Sequence, residues 1–250
     1  MGKFIDLTDS IFTSKRFGGI FVTKYVNSTT VHIKFINTGW ETVATLANVR
    51  LGKVQDNLSK TCYGVGYIGD TKTSFYANHK PSYSLWKDML KRCYDSEYQS
   101  KRKSYKGCSV SETFLCYADF EKWCNEQIGF GVDGFRLDKD ILLKGNKIYS
   151  EDTCCFVPVE LNGLLIRQES CRGEYPIGVS INKSTGKFKA RIAYSCIGKH
   201  LGIYDKPEEA FSAYKIAKEE HIKVLANKWK HKIDPRAYKA LMNYQVEITD

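Results

Sequence analysis

In the last third of the chain, cations and apolar side chains alternate residue by residue through Lys187-Phe188-Lys189-Ala190-Arg191-Ile192. An extended strand, whose successive side chains point to opposite faces, sorts such a run into one basic and one apolar face. Turn residues Asn182-Lys183-Ser184-Thr185-Gly186 precede it and Ile197-Gly198 follow it, so strands Ile177 to Ile181, Lys187 to Tyr194 and Lys199 to Tyr204 are predicted. A helix comes next. Pro207 suits a first turn, Glu208 and Glu209 favour its positive end, and Ala210, Phe211, Ala213, Tyr214, Ala217 and Ile222 give it an apolar face. The expectation is a three-stranded antiparallel sheet with one face on a helix and its cations on the other.

The first third also alternates with period two, in Gly19 to Val26, Thr30 to Ile36 and Glu41 to Leu46, with Asn27-Ser28 and Asn37-Thr38-Gly39 as turns. This predicts a small β meander. In the middle, Tyr83, Trp86, Met89, Leu90 and Cys93 recur at helical spacing, and a second helix is expected from Tyr117 to Ile128. Between them Gln99 to Lys106 forms a basic loop in which Lys101, Arg102 and Lys103 are candidate phosphate contacts, or a solvated charge run. From Phe135 the pattern reads strand, loop, strand, helix. The domains expected are 1–70, 71–170 and 171–250 of an α+β protein.

At 250 residues with 42% hydrophobic and 26% charged content, the chain lies in the globular range. No stretch approaches a membrane span and the first residues lack an apolar signal core, so a soluble, unexported, cytoplasmic protein with no membrane partner is expected. Nine cysteines, an odd number without a CxxC pair, predict reduced buried thiols and no structural zinc. The formal charge of +10 and a pI near 9.0 point to a polyanionic partner.

Ile177-Gly178-Val179-Ser180, Gly186 to Ile192, and His200 to Ala210 with Ala213-Tyr214 resemble the APETALA / ethylene-response-factor DNA-binding domain. The resemblance implies that the sheet lies in the major groove of duplex DNA, presenting Lys183, Lys187, Lys189, Arg191 and Lys199. Leu137-Asp138-Lys139-Asp140-Ile141, Asp152-Thr153-Cys154 and Asn162 resemble a divergent His-Asn-His nuclease core of the ββα-metal type, as in phage homing endonucleases. That resemblance implies Asp138 and Asn162 as ligands of Mg²⁺ or Mn²⁺, with Lys139, Asp140, Asn146 and Thr153 as catalytic candidates. Lys139 stands where the family has its general-base histidine, and an unperturbed Lys does not accept a proton near pH 7. His79 would reach this core only through folding.

Two functions stay open on the sequence: a metal-dependent endonuclease guided by the C-terminal sheet, or an inactive DNA-binding regulator or host-takeover factor on the same fold. A third, an RNA or protein partner using the aromatic content for stacking, is weaker because most aromatics fall on periodic apolar faces.

Overall fold

The computed structural model describes residues 5–70, 80–165, 174–194 and 197–248. His79, Cys171 and Cys196 lie outside the described residues. The protein is α+β, as its patterning predicts, and divides into two compact units, Met1–Cys124 and Asn125–Asp250.

In the first unit, strands β1 (Ile11–Ser14), β2 (Gly18–Asn27), β3 (Thr30–Phe35) and β4 (Glu41–Ala44) form an antiparallel sheet in the order β1-β2-β3-β4. The predicted meander is present with one strand more than expected. Ile20, Val22, Val31, Ile33 and Phe35 fill its core together with Leu46 and Val49 of helix α1 (Leu46–Arg50), whose first turn is capped by the Thr45 hydroxyl. Helix α2 (Pro81–Tyr94) starts on proline, as the chemistry of first helical turns favours. It buries Trp86, Met89, Leu90 and Cys93, and the Trp86 indole N–H donates to the Phe114 carbonyl at 2.8 Å.

The basic stretch expected as a loop is largely helical. Asp95 caps α3 (Ser96–Lys101), a 3₁₀ turn spans Lys103–Tyr105, and the chain continues through β5 (Ser109–Val110) and α4 (Glu112–Leu115) to α5 (Tyr117–Glu126). A side-chain cap from Asp95 to the Tyr98 N–H starts a turn that charge patterning alone does not announce.

The second unit contains β6 (Phe135–Asp138), β7 (Ile148–Tyr149), β8 (Cys155–Pro158) and α6 (Val159–Leu164), with β6 and β8 antiparallel. Strands β9 (Val179–Ile181), β10 (Phe188–Tyr194) and β11 (Ile197–Tyr204) follow in the sheet order β11-β10-β9, then helices α7 (Pro207–Trp229) and α8 (Pro235–Met242). The boundary expected at 170 does not separate two cores. Ile222, Leu225 and Ala226 from the second half of α7 pack with Ile141, Cys155, Val157 and Leu161 of the ββα segment and with α8. Phe211 and Tyr214, from its first half, pack on Ile192 of the sheet. One helix thus carries both substructures.

Candidate nucleic-acid interface and the ββα core

The apolar half of the alternation faces α7: Ala190 is fully buried and Ile192 nearly so, with Val179 and Leu201 partly buried beside them. The helix comes so close that a Cβ on Gly178 would sit 2.1 Å from the Tyr214 ring, and φ there is +78°, a conformation glycine adopts freely. Glycine at that position lets the sheet seat on its helix.

Residues directly opposite on paired strands share a face, so the register decides what the other side displays. Lys189 lies opposite Ser180 on one side and Ile203 on the other, and Arg191 lies opposite His200. These five residues form the outward face. Ala193 and Gly198 continue it, and a Cβ on Gly198 would come within 2.6 Å of an Arg191 guanidinium nitrogen. Glycine there leaves room for the Arg191 side chain to lie across the strand.

Lys199 is misplaced by the sequence reading. It pairs with Ile192, which puts it on the helix side of the sheet, where it is exposed because β11 is an edge strand. His200 takes the expected place. Past the hairpin pairing of Tyr194 with Ile197 the register shifts between Ala190 and Arg191, so Leu201 falls between the paired positions Gly202 and His200.

The remaining cations are unequal. Lys187 forms an ion pair with Asp205 at 2.8 Å, and this partner holds its ammonium above the usual lysine range. Lys183 is exposed in the turn before β10, where the Asn182 side chain accepts from the Ser184 hydroxyl. Among the described residues neither Lys189 nor Arg191 has an ion pair. In the first unit, Lys101 is paired with Glu97 four residues earlier at 2.7 Å, while Arg102 and Lys103 are exposed.

The ββα segment gathers Asp138, Lys139, Asp140 and Asn146 in one place but gives most of them work in holding the loop. The strand ends at Asp138, so Lys139 and Asp140 lie in the bend beyond it and not along the strand. Oδ1 of Asp138 accepts the N–H groups of Asp140 and Ile141, both at 2.7 Å. Burial pushes its carboxyl up, against the lowering effect of those two bonds. Lys139 is buried and its ammonium donates to Asp140 at 2.5 Å and to the Asn146 carbonyl at 2.8 Å. Asn146 closes the loop in return: its amide donates to the Lys139 and Ile148 carbonyls, and its oxygen accepts from the Ile148 N–H.

Thr153 stands apart, in the turn before β8, bonded to the Ser150 hydroxyl and the Ile148 carbonyl. Asn162 is half-buried on α6, and among the described residues no hydrogen bond joins it to Asp138. Nor, among those residues, do three His, Cys, Asp or Glu side chains meet to hold a metal ion. Cys154 and Cys155 are buried beneath this loop as free thiols, and burial pushes Cys154 up to about 12. No helix among the described residues is long and apolar enough to cross a membrane. No protein-family model, curated protein or solved structure matches the chain.

Proposed function

We propose that the protein binds duplex DNA through the outward face of β9 to β11, reading base edges in the major groove as APETALA-type sheets do. The observation that carries this reading is Lys189 and Arg191 side by side on the central strand, turned away from α7 and, among the described residues, without carboxylate partners. Arg offers two parallel donors that match O6 and N7 of guanine, whereas Lys acts as a point charge on phosphate. The major groove is wide enough for a β ribbon. His200, opposite Arg191, adds a further donor or acceptor to the same face. The protein then acts where DNA is accessible, in the cytoplasm of a bacterial host.

In this reading the ββα segment is a scaffold braced on α7, resembling a His-Asn-His core whose catalytic positions hold the loop shut. A second reading, metal-dependent cleavage, is favoured by one feature: Asp138 and Asp140 flank a single turn, and the Asp140 side chain is 47% exposed. The donor set fits Mg²⁺ or Mn²⁺ poorly as it stands. One Asp138 oxygen is engaged by two N–H groups and the Asp140 carboxylate by the Lys139 ammonium, whereas such ions need several free oxygens in near-octahedral order.

The test is incubation of the full chain with phage and host duplex DNA, with and without each divalent ion, scored for binding and for nicking. Salt-sensitive binding without cleavage is the expected result. Nicking abolished by Asp138→Ala establishes the second reading, and absence of binding at low salt overturns both.

A further inference from the structure

The net positive charge of this chain is greater in the unit that does not hold the C-terminal sheet. Residues 1–124 hold 18 Lys and Arg against 11 Asp and Glu, a net +7, whereas residues 125–250 hold 20 against 17, a net +3. Within the first unit the excess is local. From Lys80 to Lys106, eight cations face three carboxylates, a net +5 in a segment that folds as α2, α3 and the 3₁₀ turn.

Three of these cations are seated on tyrosine rings. The Lys87 ammonium lies 5.8 Å from the Tyr83 ring centre, Lys91 lies 5.5 Å from Tyr98, and the Arg92 guanidinium 5.6 Å from Tyr105. The ring beneath Lys87 or Lys91 holds a long side chain in place without cancelling its charge, unlike a carboxylate. At one end the surface opens into a cleft of about 290 Å³ lined by Arg16, Phe17, Gln55, Thr61, Tyr83 and Lys87. Arg16 there rests on Phe17 at 5.5 Å in the same manner. At the other end Arg102, Lys103 and Lys106 are exposed.

We infer that the α2–α3 surface, from the Arg16–Lys87 cleft to Lys106, is a second, sequence-neutral contact for the phosphate backbone of duplex DNA. Lysines and arginines that meet phosphate oxygens fix a duplex in place and carry no sequence information, so such a surface supplies affinity and not discrimination. This extends the reading of the C-terminal sheet but stands on different residues in a different unit. Two modest contacts in one chain bind one DNA molecule far more tightly than either alone, where the geometry lets both engage.

The experiment uses the full chain and a short fluorescein-labelled duplex of arbitrary sequence, with affinity measured by anisotropy across a salt series. Lys87→Gln, Lys91→Gln and Arg102→Gln are combined in one variant, with Lys189→Ala/Arg191→Ala as a separate variant. Each lost phosphate contact lowers the slope of log affinity against log salt by about 0.9, so the triple variant should lose roughly 2 to 3 from it. A parallel variant, Lys87→Arg/Lys91→Arg, keeps the charge and should keep the slope, and it controls for folding. An unchanged slope in a triple variant with wild-type melting behaviour overturns the inference. If the sheet variant binds as wild type while the triple variant loses its slope, this surface stands and the sheet reading falls; the reverse pattern does the opposite.

Discussion

The two antiparallel sheets of this protein are built alike and carry charge differently. Each buries one face, the first against α1 and its own loops, the second against α7. On the N-terminal sheet Lys34 lies directly opposite Glu41 and is paired with it at 3.0 Å. On the C-terminal sheet the corresponding neighbours of Lys189 and Arg191 are Ser180, Ile203 and His200. Cross-strand pairing of opposite charges adds only a few tenths of a kcal/mol to a sheet, so its absence costs the fold little. Among the described residues this leaves Lys189 and Arg191 open to an external anion. A basic sheet is therefore recognised by its cross-strand partners and not by its lysine content.

The sheets also differ in what their cores are attached to, and substitutions that break that attachment should have the largest effect. Ile222 on α7 is fully buried in the core shared with the ββα segment. Ile222→Ala should destabilise the second unit by about 2–5 kcal/mol, the range for truncating a buried aliphatic side chain. Denaturant unfolding followed by limited proteolysis checks this: the ββα segment and the C-terminal sheet should become cleavable together while residues 11–44 stay protected. Loss of the ββα segment with the C-terminal sheet intact would show that α7 does not couple them.

Next in size is the buried cation of the loop. Lys139→Ala leaves the Asn146 carbonyl without its donor and Asp140 without its ammonium, and should cost about 1–3 kcal/mol, less than a fully buried pair because Asp140 is half in water. Unfolding midpoints of this variant and of Lys139→Met measure it. A catalytic but structurally idle Lys139 would leave both midpoints at wild type.

A smaller effect concerns the end of the chain, which has no counterpart on the N-terminal sheet. Glu219 accepts from the Val246 N–H at 2.8 Å and pairs with Lys215, whose ammonium also donates to the Val246 carbonyl at 2.6 Å. Burial raises the Glu219 carboxyl, but these partners outweigh it and hold the group below the usual glutamate value of 4.5. A carboxyl depressed by folding contributes stability that is present above its unfolded pKa and lost as pH falls through the folded one. Acidification below about 4.5 should therefore loosen residues 244–248 from α7, read by hydrogen exchange at the Val246 amide, and Glu219→Gln should remove that pH dependence.

The smallest effect sharpens the charge comparison directly. Asp205→Asn releases Lys187 from its exposed pair and should tighten duplex binding at low salt by roughly twofold to fivefold, the scale of one surface charge. Glu41→Gln, which releases Lys34 on the other sheet, should change binding less.

Local patterning made some of this legible and left the rest hidden. Alternation from Lys187 to Ile192 predicts the central strand and its two faces, because period-two sorting is a property of the backbone alone. Lys199 and His200 exchanged roles because β11 pairs with Lys199 opposite Ile192 and His200 opposite Arg191, and nothing in the residues of β11 alone marks that register. The end of β6 at Asp138 is set by that side chain accepting the Asp140 and Ile141 N–H groups, a local bond that residue patterning does not announce. The strand Ile11–Ser14 carries no period-two signal, because it is four residues long and Thr13 and Ser14 break its apolar pattern. Helical periodicity showed that α7 has an apolar face. It gave no sign that Ile222 and Leu225 meet Val157 and Leu161, since contacts between segments so far apart in sequence leave no local trace.

The central claim is that Arg191 reads base edges from the middle of a sheet braced on α7. Selection of preferred duplexes from a random pool, performed with the full wild-type chain and with Arg191→Ala, tests it most directly. The wild type should enrich a site containing guanine. The variant should lose the preference at that position, a discrimination of about 1–3 kcal/mol, while keeping salt-dependent affinity for the pool as a whole. Enrichment of the same site by both proteins, or of none by the wild type, would contradict the claim.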